Sequence, residues 1–232
     1  NQDAHALHKR LTEIDPKTAI ILVVGGGATG IEAAGEVRSK FPDADIKLVT
    51  QGKFGTFKHD QRIENIMRKA MTRQHITIRE YSPVKAVNNG EVKLANGDTL
   101  PFDVCIWAGG FKANRLAEQA GLTVNDKGQI LTDPYLRSLS HPDIFAIGDA
   151  GHSQERPGAP VRMSAFVALV NGAHVADSLA RQARGKAMRP FSFSWYGQGI
   201  ALGKRNAVGF TSFPDDKALF PLVFRGSVGH YF

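Results

Sequence analysis

The stretch from Ala19 to Glu36, AIILVVGGGATGIEAAGE, constrains the chain more than any other. Ile20 to Val24 is an unbroken apolar run, as expected of a strand buried on both faces in a parallel sheet. Gly25, Gly27 and Gly30 follow at GxGxxG spacing, and an Ala-rich helical stretch begins at Ala28. Strand, glycine turn and helix in that order are the context in which this motif binds a dinucleotide. Gly25 permits the tight turn, Gly27 lets the backbone approach a pyrophosphate, and Gly30 lets helix and strand pack closely. The phosphates are expected on the free N–H groups at the helix N-terminus, around Ala28 and Thr29. The alternative is a glycine turn of purely structural purpose.

A chain of 232 residues holds one large or two modest domains. Its 42% hydrophobic and 22% charged content is that of an ordinary globular protein. The net charge of +7 suits anionic partners, among them phosphate-bearing cofactors, but serves equally as a solubilising surface. The basic residues are scattered and no nucleic-acid motif accompanies them, so no nucleic-acid partner is expected. The single cysteine, Cys105, excludes an internal disulfide framework and a CxxC redox pair; within VCIWAGG it reads as a small buried hydrophobe. No signal peptide and no apolar run of ~20 residues is present. His5 and His8 stand three apart with no evident carboxylate or thiol partner, so a solvated face is expected and no metal.

In chain order, apolar residues at Ala4, Leu7, Leu11 and Ile14 predict a helix with Asp3 as N-cap and Pro16 as stop. A strand at Ile20–Val24, a helix at Ala28–Lys40 and a strand at Ile46–Thr50 follow. An acidic residue about 20 positions past the glycines commonly holds the ribose hydroxyls of NAD. Here that place holds Thr50, Gln51, Gly52 and Lys53, with no carboxylate to repel a 2′-phosphate and with Lys53 to attract one. This favours NADPH, or tolerance of both forms, unless Lys53 points into water. Asp60 to Gln74 is an amphipathic helix. Ile76–Ile78, Val84–Val87 and Glu91–Leu94 are strands, with turns at Asn89-Gly90 and Asn96-Gly97. Leu100 to Trp107 reads as one strand ending in Ala108, Gly109 and Gly110, where open α/β sheets place ligands. A short helix is expected at Asn114–Ala120 and a strand from Gly128. Asp143 to Ile147 reads as a strand running into Gly148-Asp149, where a carboxylate at a strand tip suits a hydroxyl-rich ligand; a turn or helix-cap role for Asp149 is the alternative. Ser153–Pro160 is expected as a loop and Ser164–Arg184 as a helix. Beyond Phe191 the chain looks rich in antiparallel strands, with a turn at Asp215-Asp216.

VVGGGATGIEAAGE at 23–36, CIWAGG at 105–110, DIFAIGDA at 143–150 and the helical region of 162–193 together resemble the flavin-dependent pyridine nucleotide oxidoreductases, and within them the type II NADH dehydrogenases. QGIALGKRNAV at 198–208 resembles the start of that family's C-terminal domain. The resemblance implies an α/β fold: a Rossmann-like NAD(P)-binding domain with an inserted antiparallel meander, the second half of a discontinuous FAD-binding domain, and the start of an α+β C-terminal domain. The expected boundaries are a crossover helix at 1–16, the NAD(P) domain at 17–126, the flavin segment at 127–189 and the C-terminal start at 190–232. Gly148 follows Gly30 too closely to leave room for an entire inserted domain, so Gly25–Gly30 reads as the nicotinamide copy of the motif. The first half of the flavin domain, roughly a hundred residues, is then expected to lie outside this chain.

The implied cofactors are FAD and NAD(P)H, and the implied activity is NAD(P)H dehydrogenation with a quinone as acceptor. By resemblance, Glu32 lies near the nicotinamide and takes the catalytic role, Asp149 holds the ribityl–phosphate region, and Met163, Ser164 and Ala165 lie near the isoalloxazine. Many quinone-reducing relatives carry Ala-Gln where this chain has Ala165-Phe166. A cytoplasmic protein, peripheral on the inner face of the membrane and able to form a homodimer, completes the expectation. The alternative function is a non-catalytic NAD(P)H sensor whose ligand controls association with a partner.

Overall fold

The computed structural model describes residues 2–55, 61–156, 159–213 and 218–230. They fall into two compact units: one takes Asn1–Gly110, Gly197–Thr211 and Phe220–Phe232, the other Phe111–Tyr196 and Ser212–Leu219.

In the first unit, α1 (Gln2–Glu13) leads into β1 (Ile20–Val24), α2 (Ala28–Lys40), β2 (Asp45–Val49), α3 (Gln61–Arg73) and β3 (Ile76–Arg79). α1 begins at Gln2, so Asp3 lies inside it and is not the N-cap. Asp15 organises the turn that follows, accepting bonds from the Lys17 amide (3.0 Å) and the Thr18 hydroxyl (3.1 Å). The expected start of α3 at Asp60 lies outside the described residues. A meander comes next: β4 (Val84–Asn88), β5 (Glu91–Leu94) and β6 (Thr99–Pro101). β7 (Val104–Trp107) then returns to the main sheet, whose order is β3-β2-β1-β7 with every pair parallel.

The central strand is apolar throughout because both its faces are covered. Leu22 and Val24 pack with Val49, Val92 and Leu94, so the meander lies against one face of the sheet. Side chains alternate along a strand, so Ile21 and Val23 face the other side, where α2 and α3 run. Ile31, Ala34, Ile63, Met67 and Met71 are buried on those helices. Each such large side chain contributes about 1.5–3 kcal/mol by leaving water.

Leu100–Trp107 is two strands, not the single one expected. The Phe102 amide donates to the Gly90 carbonyl (2.9 Å), closing the meander. One residue later the Asp103 amide donates to the Ile20 carbonyl (2.9 Å), and the Asp103 carboxylate accepts from the Ile20 amide (2.7 Å). The backbone thus exchanges one set of partners for another at this junction.

The second unit holds α4 (Leu116–Gln119), β8 (Ile130–Leu131), β9 (Gly151–His152), the hairpin β10 (Gln154–Arg156) with β11 (Ala159–Pro160), and α5 (Ala165–Ala183). β8 and β9 pair in parallel. Two expectations change here. Asp143–Ile147 is not a strand: its only ladder contact among the described residues is the bridge of Phe145 to Arg137, and the Ile144 amide turns back to donate to the His141 carbonyl (2.9 Å). Gln154–Pro160 contains a hairpin where a loop was expected. Ser164 caps α5, accepting from the Val167 amide at 3.3 Å, and Gly185, with φ +68°, ends the helix region.

A three-stranded sheet in the order β12 (Tyr196–Ala201), β13 (Ala207–Ser212), β14 (Ala218–Gly226) precedes the short α6 (Ser227–His230). Pro221 is tolerated in β14 because that strand is an edge. The turn expected at Asp215-Asp216 lies outside the described residues. Within the first unit, residues 201–204 pack on α2. The Gln74 amide group donates to the Leu202 carbonyl (2.6 Å), and a Cβ on Gly35 would stand 2.6 Å from the Gly203 nitrogen. Alanine normally stabilises a helix interior relative to glycine. Here Gly35→Ala is expected to destabilise by about 1–3 kcal/mol in urea unfolding, because it wedges two backbones apart. Gly52→Ala, with open space around it, is the control and should change little.

Candidate functional site

The glycine turn closes the C-terminal end of β1. The Gly25 amide donates to the Val49 carbonyl (2.8 Å) and the Ala108 amide to the Val24 carbonyl (2.7 Å), so β1, β2 and β7 converge there. Gly25 has φ +133°, and a Cβ on it would stand 2.2 Å from the Ala108 carbonyl oxygen. A Cβ on Gly30 would stand 1.9 Å from the Gly25 carbonyl oxygen. These two glycines are therefore required by backbone contact. Gly27 differs: nothing lies within 4 Å of its Cβ position. It is the N-cap of α2, its backbone is extended, and no side chain caps the helix. The start of α2 thus has no side-chain cap, no acidic residue in its first turn and space beside Gly27, which is the physical requirement for an anion. Of the other predicted residues on this edge, Gly110 has φ +114° and open space, and Gly109 lies against the ring of Trp107.

Glu32 lies in the second turn of α2. Its Oε1 accepts from the Ala201 amide at 3.1 Å, tying α2 to the end of β12. Gln51 is exposed beside the turn. The segment that carries it is anchored there: the Gly55 amide donates to the Gly26 carbonyl (3.0 Å), and Thr50 occupies the space a Cβ on Gly26 would need.

Lys53 does not project freely. Its Nζ lies 2.5 Å from Glu64 Oε2 on α3 and 3.4 Å from the Gln61 side-chain oxygen. Glu64 also pairs with Arg68 (2.9 Å), and Arg68 grips both oxygens of Glu80 at 3.0 Å. The Glu80 carboxylate accepts from the Phe54 amide at 2.6 Å, and the Arg68 guanidinium lies over the Phe54 ring, 5.2 Å from its centroid. Burial opposes ionisation of Glu64, yet the bonds from Lys53 and Arg68 prevail and hold its carboxyl below the usual range. Hydrogen bonding from Arg68 does the same for Glu80 and holds Arg68 above its usual value. Sequence reading missed this network because its carboxylates lie on α3 and after β3, not at the end of β2.

In the second unit, Gly148–Ala150 forms a single 3-10 turn in which Gly148 has φ +58° and the Asp149 side chain is exposed. Asn171, fully buried on α5, accepts from the Gly148 amide (3.2 Å) and the Ser153 hydroxyl (3.4 Å). Gln129 donates to the Gly151 carbonyl at 3.1 Å. The turn is thus held from both sides with its carboxylate exposed. Met163 and Ser164 are half-buried and Ala165 exposed at the start of α5, and the Ser164 hydroxyl is used as the cap. Among the described residues, no group of three or more His, Cys, Asp or Glu is placed to hold a metal, and no helix is long and apolar enough to cross a membrane.

A family model described as pyridine nucleotide-disulphide oxidoreductase matches residues 2–170, spanning both the glycine turn and the Gly148-Asp149 turn. The chain belongs to the pyridine nucleotide-disulphide oxidoreductase family. A probable NADH dehydrogenase of Dictyostelium discoideum is 26% identical over 219 residues, covering 88% of this chain and 48% of that protein. A type II NADH:quinone oxidoreductase of Staphylococcus haemolyticus is 29% identical over 226 residues, covering 90% and 55%. The chain therefore spans about half the length of the curated relatives it matches. Two solved structures share the fold: the NADH-bound water-forming NADH oxidase of Lactobacillus brevis (TM-score 0.69, 24% identity, 90% of this chain and 45% of that one) and reduced Bacillus anthracis CoADR-RHD (TM-score 0.71, 21% identity, 92% and 37%).

The charge network makes stability depend on pH in one direction. Unfolded Glu titrates near about 4.3. Glu64 and Glu80 have lowered values in the fold, so their contribution is complete above that pH and is lost as pH falls through the folded values. Glu80→Gln should lower the urea midpoint at pH 7 and flatten its decline between pH 5 and pH 3; an unchanged slope would show that the network does not carry the acid sensitivity.

Proposed function

We propose that this chain is the NAD(P)H-binding core of an FAD-dependent NAD(P)H dehydrogenase whose acceptor is a quinone. The observation that carries the reading is the glycine turn. Gly25 and Gly30 are fixed by backbone contact, nothing lies within 4 Å of the Gly27 Cβ position, and no side chain caps the N-terminus of α2 there. Those features fit a pyrophosphate. When bound, the nicotinamide donates a hydride and the flavin relays its two electrons onward.

The residues of the chain supply binding and orientation. The amides of Ala28, Thr29 and Gly30 neutralise phosphate charge, and the β7 end at Ala108–Gly110 leaves room for the dinucleotide beside them. Glu32, anchored through Oε1 to Ala201, keeps its other oxygen for the nicotinamide end and fixes the start of α2 against β12. The second unit fits one part of a flavin site: Asp149, on a turn clamped by Asn171 and Gln129, presents an exposed carboxylate for ribityl hydroxyls. Met163 and Ala165 flank the expected ring position. The names of the relatives, NADH dehydrogenase and NADH:quinone oxidoreductase, support the donor and the acceptor. A quinone acceptor also makes peripheral contact with a membrane the natural placement.

The full-length protein should be yellow, with a flavin absorption spectrum, and should oxidise NADH with a soluble quinone. A colourless protein that binds NADH without turnover would overturn the enzyme reading. Gly27→Asp provides the site-level check. Asp is a good N-cap and meets no neighbour here, so the thermal midpoint should hold or rise. NADH affinity, read by fluorescence titration, should fall at least about tenfold because a carboxylate takes the phosphate position.

A further inference from the structure

We propose that Glu64 is a specificity-determining residue: by pairing with Lys53 it cancels the positive charge beside the glycine turn and makes NADH, not NADPH, the preferred dinucleotide. The inference rests on the reading of Gly25–Gly30 as the dinucleotide site.

In that reading the adenosine ribose lies at the end of β2, where a positive side chain accommodates a 2′-phosphate and a carboxylate binds the bare hydroxyl. The strand end itself offers only Lys53, which alone favours the phosphate. The structure brings the missing carboxylate from elsewhere. Glu64 reaches from α3 to 2.5 Å of the Lys53 ammonium, and the segment bearing Lys53 is locked to the turn by the Gly55–Gly26 bond. Arg68 cannot supply the charge in its place, because it is divided between Glu64 and Glu80. Lys53, Arg68, Glu64 and Glu80 therefore sum to zero. A 2′-phosphate arriving there must compete with Glu64 for the ammonium and meets a carboxylate next to it. A ribose hydroxyl carries no charge and meets neither obstacle.

Charge counting gives an order for four proteins. The cluster is neutral in the wild type, +1 in Glu64→Gln, −1 in Lys53→Met and neutral again in the double variant. The affinities of NADH and NADPH for each are read by fluorescence titration of the purified chain at low salt. The wild type should bind NADH more tightly than NADPH. Glu64→Gln should raise the NADPH-to-NADH affinity ratio about fivefold, Lys53→Met should lower it, and the double variant should return to the wild-type ratio. The differences should shrink at high salt. A wild type preferring NADPH, an unchanged ratio in Glu64→Gln, or a gain that persists in the double variant would overturn the proposal. If Glu64→Gln does not fold, as judged by circular dichroism, an unchanged ratio in Lys53→Met overturns it instead. A wild type that binds neither dinucleotide would overturn the site reading itself, which distinguishes the two failures.

Discussion

A Cβ on Gly30 would stand 1.9 Å from the carbonyl oxygen of Gly25, and one on Gly25 would stand 2.2 Å from that of Ala108. No side chain fits in either place, so α2 can start directly above the tip of β1 only because both positions are glycine. The consequences run outward from there. The start of α2 is carried over the C-terminal edge of the parallel sheet, between β2 and β7. That start has no side-chain cap and has space beside Gly27. The helix axis, set by this contact, places Gly35 against Gly203 and Glu32 against the Ala201 amide. One backbone contact thus positions the binding edge and the packing of residues 201–204.

The second constraint is electrostatic. The segment after β2 must sit beside the glycine turn without closing over it. It is held by the Gly55 amide on Gly26 and by the Phe54 amide on Glu80, with Arg68 stacked over the Phe54 ring. Arg68 serves as the hub because a planar guanidinium can engage both oxygens of Glu80 while reaching Glu64. The same contacts that shape the rim of the site therefore set its charge, so that structure and cofactor selection share residues.

Much of the first unit was legible in the sequence because its signals are local. Ile20–Val24 can only be a doubly covered strand, the GxGxxG spacing sets the turn, and Asn89-Gly90 and Asn96-Gly97 mark the meander. What was not legible depends on partners distant in the chain. Leu100–Trp107 looks continuous, but it divides where Asp103 takes up Ile20 in place of the meander. Asp143–Ile147 has the composition of a strand, but the Ile144 and Ala146 backbone groups bond to the adjoining 136–141 segment instead of to a longer ladder. Lys53 looked like a free cation because Glu64 reaches it only once α3 is folded. Glu32 was placed by resemblance at the nicotinamide, and its bond to Ala201 could not be foreseen from residues 19–36 alone.

The account stands on the glycine turn being the place where a dinucleotide binds. Titrating NADH into the isotopically labelled chain and following backbone amide resonances tests this residue by residue. The account predicts saturable shifts concentrated at Gly25, Gly27, Ala28, Thr29 and Gly30, extending to Ala108–Gly110 and to the segment at Gln51–Gly55. Shifts confined to other parts of the chain, with these amides unmoved at saturation, would contradict it.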